Sequence, residues 1–385
     1  MTSDIAVIGA GIAGLAVAAQ LQQSGVDCVV YEQAPAFDQL GAGIQISPNG
    51  SRLLHRLGLG PMLERSAIRP EAIQMLRWFS GEPLSRTDLG SACATTYGAP
   101  YYVLRRADLH AGLRGLVSRR IRAGRRCVAV CPEGDRVRVR FADGSSTVVG
   151  AVIGADGIHS VVRGHIPSGR HDTSTEINVY RGLVPARDQP ERHRVPTVDI
   201  WLGPGQHCVS YPVPGWISFV ASVPDDRRPW SGPGRVEDLL AAYGGWDSRV
   251  RRLLGAAALL TRWSLREGPP LDQWTEGRVT LLGDAAHAMV PVGAQGATQA
   301  LEDAAVLAAC VAADPGRVDA AFARYEAIRR PRIAQVAAAV RANTQDHHLA
   351  DGPAQRRRDL ALAGQQSLAA QRWLYGYDAE QEVRP

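Results

Sequence analysis

The sequence predicts an α/β fold: a Rossmann-like layer interrupted by an inserted, mostly antiparallel β-sheet and followed by C-terminal helices. Three observations predict it. The chain opens on DIAVIGAGIAGLAVAAQLQQSGVDCVVYE, Asp4–Glu32, where an apolar run turns through glycines into an Ala/Leu-rich helix and then a second apolar strand. Gly150–Arg163 and the segment starting at Gly277 repeat the passage from buried strand through glycine turn to helix. Between them, from about Thr173 to Arg266, the pattern changes to alternating strands rich in Trp, Tyr and Val.

In the opening segment Ile5–Ile8 is short enough for one buried parallel strand, and Gly9, Gly11 and Gly14 follow in the spacing GxGxxG. Gly9 permits the tight turn, Gly11 lets backbone amides approach a pyrophosphate, and Gly14 lets helix and strand pack closely. The helix start offers partial positive charge to phosphates. Glu32 closes the strand Val26–Tyr31, eighteen residues beyond Gly14, where it can accept from a ribose hydroxyl. The signal is specific because strand, turn, helix and acid occur together.

The next connection ends in Gly41-Ala42-Gly43-Ile44-Gln45-Ile46-Ser47-Pro48-Asn49, with Ser47 expected to cap a helix that starts at Pro48 and stops at Gly58. Gln45 reads equally well as a ligand contact or as a turn residue. From about Ala72 to Tyr102 the chain is less helical and carries short β-like pieces. A helix begins within Leu104–His110 and runs to about Arg120, followed by strands at Cys127–Cys131, Val137–Phe141 and Ser146–Val149, with a hairpin turn at Asp143-Gly144. In Gly150–Arg163, Asp156 follows the buried strand. Parallel strands end at one crevice, so its carboxylate can meet a ligand held by Gly9–Gly14, cap the next helix, or do both.

The inserted sheet includes Val179–Val184, Thr197–Leu202, His207–Pro212 and Trp216–Val223, then a helical patch, Val236–Leu254. Such an insertion is a natural substrate pocket. His207 and Tyr211 stand four apart on one strand and so share a face. They read as a proton relay or as a hydrogen-bonded core histidine and an interior tyrosine. After Gly277 come the strand Arg278–Leu282 and a long glycine-bearing connection to a helix starting near Gly296. Asp284 can accept from a sugar-alcohol hydroxyl, and the helix start projects unsatisfied N–H groups. His287 reads as structural, bonding backbone carbonyls. A helix over Ala320–Ala342 and a tail helical to about Ala370 complete the chain. Its final aromatics, Trp373, Tyr375 and Tyr377, argue for a docked terminus.

Composition narrows the function. The 385 residues suit two domains or one elaborated domain, and the 45% hydrophobic and 21% charged content is that of a soluble globular protein. All 43 basic residues are arginine. Without lysine, Schiff-base chemistry and an ordinary Walker-type nucleotidase are excluded. The clusters Arg119–Arg126 and Arg356–Arg358 lack interleaved aromatics, so they read as solvated helix faces and no nucleic-acid partner is expected. The six cysteines form no CxxC pair and read as reduced thiols, with no metal expected. A first strand so close to Met1 and the lack of a long apolar run predict a cytoplasmic protein without membrane contact.

In order along the chain stand GAGIAG with Glu32, Arg106 in RRADLH, Asp156-Gly157 in GADG, and Asp284 in GDAAHAMVPVGAQGATQALEDA, and the three of these that follow buried strands, GAGIAG, GADG and GDAAHAMVPVGAQG, form a three-part fingerprint. It resembles that of the single-component FAD-dependent aromatic hydroxylases, the group of 4-hydroxybenzoate and salicylate hydroxylase, over nearly the whole chain. His207, Tyr211, Gln295 in the GAQG loop and the terminal WLYGYD look like 3-hydroxybenzoate 6-hydroxylase and 6-hydroxynicotinate 3-monooxygenase. The sequence departs from the latter at Gln45, where those enzymes carry histidine, and near Val198, where they carry cysteine.

The resemblance implies a discontinuous FAD-binding domain (1–72, 98–172 and 270–330), a substrate-binding sheet domain (73–97 and 173–269) and C-terminal helices (331–385). It places Gly9, Gly11 and Gly14 on the pyrophosphate, Glu32 on the adenosine ribose, Arg106 and Gln45 near the ribityl and flavin, Asp284 at the ribityl–pyrophosphate region and Ala297 beside the flavin ring. Val128, Asp156 and Gly296 complete the expected cofactor positions. NADH or NADPH is the implied co-substrate, binding transiently because no second GxGxxG exists. The implied reaction is hydroxylation of a hydroxybenzoate, aminohydroxybenzoate or hydroxynicotinate by O2 through a flavin C4a-hydroperoxide, by a monomer or homodimer.

A phenol ionises near pH ~10 and histidine near ~6.5, so a base must be positioned to make the ring electron-rich. His207 is the expected base and Tyr211 orients the hydroxyl. Tyr102, Trp201, Pro291 and Gln295 are expected pocket walls, and Arg105 or an arginine of the inserted sheet is expected to meet a substrate carboxylate. A flavin halogenase would need a lysine and a WxWxIP stretch, both missing. The remaining alternatives are a larger natural-product aromatic substrate and a non-catalytic FAD-binding redox module.

Overall fold

The computed structural model describes residues 4–37, 42–167, 173–189, 195–225, 231–267, 271–364 and 368–383, without the side chains of 173–176, 266 and 267. Gly41 of the glycine loop and residues 365–367 of the tail lie outside the described residues. Four sheets organise the rest. The Rossmann-like sheet runs Thr275–Glu276, Val279–Leu281, Ala151–Gly154, Ile5–Ile8, Cys28–Tyr31, Ile121–Arg122, and all but the first pairing are parallel. Its register sets Ile8 opposite both Gly154 and Tyr31, and Gly154 opposite Leu281. Four strands therefore end level, and the three sequence motifs emerge at one edge.

The local reasons are legible in the turns. Gly9 has φ +102°, and a Cβ there would stand 2.5 Å from the Ala155 carbonyl oxygen. A Cβ on Gly14 would stand 1.9 Å from the Gly9 carbonyl oxygen. Helix Ile12–Gln23 is thus pulled against the strand it follows. It packs against helix Gly296–Ala313, and both are buried along most of their length.

The second large sheet has eight strands in the order Ser231–Pro233, Leu259–Glu267, Thr173–Pro185, Trp216–Pro224, Gln206–Val213, Thr197–Gly203, Ala72–Arg77, Pro83–Asp88. It is antiparallel except where Thr197–Leu202 pairs with Ala72–Arg77. Gly43–Ile46, expected only as part of a loop, is a strand paired with Tyr102–Arg105. A Cβ on Gly43 would lie 2.6 Å from the Tyr211 ring, and the Gly43 N–H donates to Ser218 Oγ at 2.9 Å. This strand therefore packs directly on the eight-stranded sheet.

Several expected elements differ. Ser47 holds the N-cap position of helix Pro48–Arg56, but its hydroxyl donates to Asn49 Oδ1 at 2.7 Å and leaves the helix amides uncapped. The segment after Asp156 forms only the 3-10 turn Val162–His165. The patch 236–254 is two helices, Val236–Ala242 and Ser248–Gly255. Gly90–Tyr97 is a helix where β-like pieces were expected, its end fixed by Gly98 at φ +70°. The basic run Arg119–Arg126 passes from a 3-10 turn through a short strand to a turn, so it is no helix face. The long C-terminal helix extends from Val318 to His347, five residues beyond its expected end.

The terminal aromatics dock. Arg332 donates to the carbonyls of Trp373 (2.9 Å) and Leu374 (3.2 Å), and its guanidinium lies 4.1 Å from the Tyr377 ring centre. Among the described residues no helix is long and apolar enough to cross a membrane.

Candidate active site

Three cavities lie end to end across the crevice. The outer one, about 450 Å3, is lined by Gly9, Gly11, Glu32, Arg125, Arg126, Cys127 and Asp156. The middle one, about 330 Å3, is lined by Gly11, Gln45, Arg106, Arg181, Tyr211, Asp284, Gly296 and Ala297. The inner one, about 300 Å3, is lined by Gln45, Tyr101, Val198, Ile200, His207, Val209, Pro291, Gln295, Asn343, His347, Trp373 and Tyr375. Outer and middle share Gly11, Ala155 and Gly157; middle and inner share Gln45, Pro291 and Ala294.

The outer and middle cavities bring together the three motifs. No protein atom lies within 4 Å of where a Gly11 Cβ would stand, so the backbone there is open to a ligand. Glu32 accepts from the Ala10 N–H at 2.7 Å and the Ala34 N–H at 2.8 Å, which fixes its carboxylate at the strand end. Asp156 accepts from Ser160 Oγ at 2.5 Å and from the amides of Val161 and Val162, while also lining the outer cavity. Burial raises its pKa against those hydrogen bonds. Helix Gly296–Ala313 starts on the middle cavity, its first residues lining it. Its opening N–H groups lack intrahelical acceptors and suit an anionic edge. The preceding Ala294 has φ +54°, the one non-glycine residue with positive φ among those described. A long flat cofactor with a pyrophosphate and an anionic ring edge fits this groove.

Two guanidinium groups face the middle cavity. Burial lowers the pKa of Arg106, with Asp284 opposing. Burial likewise lowers that of Arg181, on strand Thr173–Pro185, whose Nε has no partner among the described residues. Arg105 is instead exposed and paired with Asp108 at 2.8 Å.

The inner cavity has mainly apolar walls, and its described lining holds no carboxylate or guanidinium. His207 is 4% exposed and its Nδ1 lies 2.7 Å from His348 Nε2 and 3.0 Å from Ser222 Oγ. Burial, with His347 and His348 nearby, holds its pKa well below the usual histidine value, so the ring is neutral. Burial pushes Tyr211 up to about 12, against a Ser218 hydrogen bond and Arg181. His207 and Tyr211 share a face, but four strand residues span about 13 Å. His207 lines the inner cavity and Tyr211 the middle one, with Val209 between them along the strand.

Two expected wall residues point elsewhere. The Tyr102 hydroxyl donates to Glu64 at 3.0 Å and its ring stacks on His55, while its neighbour Tyr101 lines the inner cavity and donates to Gln45 Oε1 at 2.8 Å. Trp201 is wholly buried with Tyr243 and Trp246, while Val198 and Ile200 face the cavity. Both differences follow from alternation: adjacent residues of an extended chain face opposite sides. Val128 is 46% exposed beside Cys127, which is the strand residue that lines the outer cavity.

Gln295 is held from below. Its Nε2 donates to Ser47 Oγ at 3.1 Å, Ser47 to Asn49, and Asn49 to Glu302 at 2.6 Å. Arg329 closes the network, donating to Glu302 and Asp303 at 2.7 Å each, all three wholly buried. Asp303 also lies 2.6 Å from His287 Nε2, so His287 is structural but bonds a carboxylate and not the expected backbone carbonyl. Burial would raise Asp303; His287 and Arg329 outweigh it and hold the pKa down.

Sequence reading did not name Tyr101, Asn343, His347 and Trp373 as lining residues, and left Arg181 as an unspecified arginine of the inserted sheet. Two carried a signal: a lone arginine inside the apolar strand Val179–Val184, and the histidine doublet at the end of an alanine-rich helix.

The family described as "FAD binding domain" matches residues 2–340. The 3-amino-4-hydroxybenzoate 2-monooxygenase PtmB3 of Streptomyces platensis is 47% identical, over 97% of this chain and 96% of its own. The 6-hydroxynicotinate 3-monooxygenase of Bordetella bronchiseptica is 36% identical, over 86% and 89%. A salicylate hydroxylase structure in complex with substrate superposes with a TM-score of 0.83 at 26% identity, covering 99% of this chain and 97% of that one.

Proposed function

The chain belongs to the FAD-binding-domain family of FAD-dependent monooxygenases, and from that premise we propose that it hydroxylates a small aminohydroxybenzoate, consuming NADH or NADPH and O2. One observation carries the reading: a groove lined by all three motifs opens, at Gln45, Pro291 and Ala294, into an inner cavity of about 300 Å3. That volume is at the lower end for small-molecule sites and suits a single substituted ring better than a polycyclic aromatic. Gln45 and Val198, the two departures from the hydroxynicotinate enzymes, both line it.

FAD, when bound, passes electrons from the nicotinamide nucleotide to O2 and delivers an electrophilic oxygen to the ring. The chain positions the partners. Gly9 and Gly11 would hold the pyrophosphate against the helix start that Gly14 packs onto its strand, and Glu32 would take the adenosine ribose. Arg106 and Asp284 flank the middle of the groove, and Gly296 and Ala297, at the helix start, would offer N–H groups to the ring edge. In the inner cavity the neutral His207 accepts the phenol proton, since its Nδ1 is already engaged and its Nε2 has no partner among the described residues. The apolar walls at Val198, Ile200 and Val209 exclude water from the reacting ring.

The test is NADH and NADPH oxidation by the flavin-loaded protein across hydroxybenzoates, aminohydroxybenzoates and hydroxypyridine carboxylates, with products identified. Stimulated oxidation and a hydroxylated product from an aminohydroxybenzoate are expected. A product only from a hydroxypyridine carboxylate or a polycyclic phenol would replace the substrate, and no stimulation by any aromatic would favour a non-catalytic module.

A further inference from the structure

The cavity-lining base is not isolated from solvent. His207 stands on strand Gln206–Val213, and its Nδ1 is 2.7 Å from Nε2 of His348, the residue just after helix Val318–His347. His348 is itself only partly buried. Its position is fixed from the backbone, because its carbonyl accepts from the Gly205 N–H at 3.0 Å in the turn leading into the His207 strand.

Two neutral imidazoles at that distance share one proton, so one nitrogen donates and the other accepts. Ser222 admits either. Its hydroxyl accepts from the backbone N–H of His207 at 2.8 Å, lies 3.0 Å from His207 Nδ1 and can donate to the His207 carbonyl at 3.2 Å. With the hydroxyl turned to the carbonyl, His207 Nδ1–H donates to His348 Nε2 and His207 Nε2 is unprotonated toward the cavity. That tautomer also leaves His348, a partly exposed residue, with its proton on Nδ1.

We propose that His348 is the second member of a proton relay carrying the substrate's phenolic proton from His207 to solvent. Three transfers balance it. The phenol O–H proton passes to His207 Nε2, the His207 Nδ1 proton passes to His348 Nε2, and the His348 Nδ1 proton passes to water. The phenolate keeps the electron pair, both rings end neutral in the opposite tautomer, and one proton has left the cavity. Returning the tautomers after turnover requires ring or proton rearrangement through the same water-accessible end.

The setting favours transfer over storage. Burial lowers His348 to about 4, and burial with His348 and Arg358 lowers His347 to about 3. The charged and titratable neighbours are His347, with its ring 5.6 Å from that of His207; Tyr243, whose hydroxyl donates to the His207 carbonyl; and Arg358, which is paired with Asp359. None of these is an anion that would hold a proton on the pair.

The inference rests on the hydroxylase reading and on His207 as base, and the variants separate the two. His207→Ala, His348→Ala and His348→Gln holoenzymes are compared by single-turnover hydroxylation of 3-amino-4-hydroxybenzoate and by FAD content. His207→Ala should be impaired; wild-type turnover there would overturn the base assignment and the relay with it. His348→Ala should lose about 10- to 100-fold in hydroxylation rate with FAD retained, and added imidazole should restore it with a pH profile following imidazole's own ionisation. His348→Gln should be as slow, because an amide can hold His207 in place but cannot pass a proton. If His207→Ala is impaired while His348→Gln turns over at the wild-type rate, or if imidazole restores nothing in His348→Ala, the relay is overturned and the substrate reading stands.

Discussion

A Cβ on Gly14 would stand 1.9 Å from the carbonyl oxygen of Gly9, whereas one on Gly11 would meet no protein atom within 4 Å. Two glycines of one motif thus answer to different constraints. Gly14→Ala must push the helix off its strand and should cost about 1–3 kcal/mol of stability through overpacking, lowering the urea midpoint with or without FAD. Gly11→Ala should leave the apoprotein's urea midpoint unchanged and weaken FAD binding, read from flavin fluorescence on titration. Equal losses of apoprotein stability in both would contradict this division.

Arg329 is the only counter-charge in hydrogen-bond contact with both Glu302 and Asp303 among the described residues. Arg329→Met keeps much of the volume and removes the cation the two buried carboxylates share. Among the described residues that leaves Glu302 only Arg332 at 3.5 Å and Asp303 only His287 as ion-pair partners. A loss of about 3–5 kcal/mol is expected. Chemical denaturation measures it. A loss under about 1 kcal/mol would mean that the carboxylates find other partners or take up protons.

His207→Ala should slow hydroxylation by about 100-fold or more while FAD content and flavin reduction stay near wild type, since the ring lines the inner cavity and not the flavin groove. Tyr211→Phe removes a hydroxyl from the groove wall and should affect flavin reduction or oxygen coupling more than substrate affinity. Rapid mixing separates the steps.

Acid should weaken the fold through the histidine cluster. His207, His347 and His348 all bind protons more weakly folded than unfolded. The unfolded chain therefore protonates first as pH falls below about 6.5, and stability drops by up to about 1.4 kcal/mol per pH unit for each ring. The decline continues toward about 4 for His348 and about 3 for His347. His347→Gln removes one such ring, so its urea midpoint should fall less than wild type between pH 7.5 and 5.5. An identical fall in both proteins would show that His347 does not contribute.

Much of the groove was legible because its residues are close in sequence to the turns that place them. GxGxxG, Glu32, GADG and the GDAAHAMVPVGAQG loop each follow a buried strand, and parallel strands in register deliver them to one edge. The substrate cavity was less legible. Its walls come from strands 72–77 and 197–203, the long helix and the terminal aromatics, whose meeting depends on pairings across more than a hundred residues. Tyr102 and Trp201 show the cost of a one-residue ambiguity: the wall positions are occupied by Tyr101 and by Val198 and Ile200, because strand alternation sends neighbours to opposite faces.

By itself the sequence determined the family of fold, the cofactor class and the position of its phosphate-binding turn, since those depend on local spacing of glycines and acids within single strand–turn–helix units. Only the tertiary structure decided that His207 and Tyr211 serve separate cavities, that the Arg332 clamp seats the terminal aromatics against the inner one, and that His348 meets His207. Those contacts join elements distant along the chain. Their geometry is set by how sheets and helices pack, which no spacing within one segment encodes.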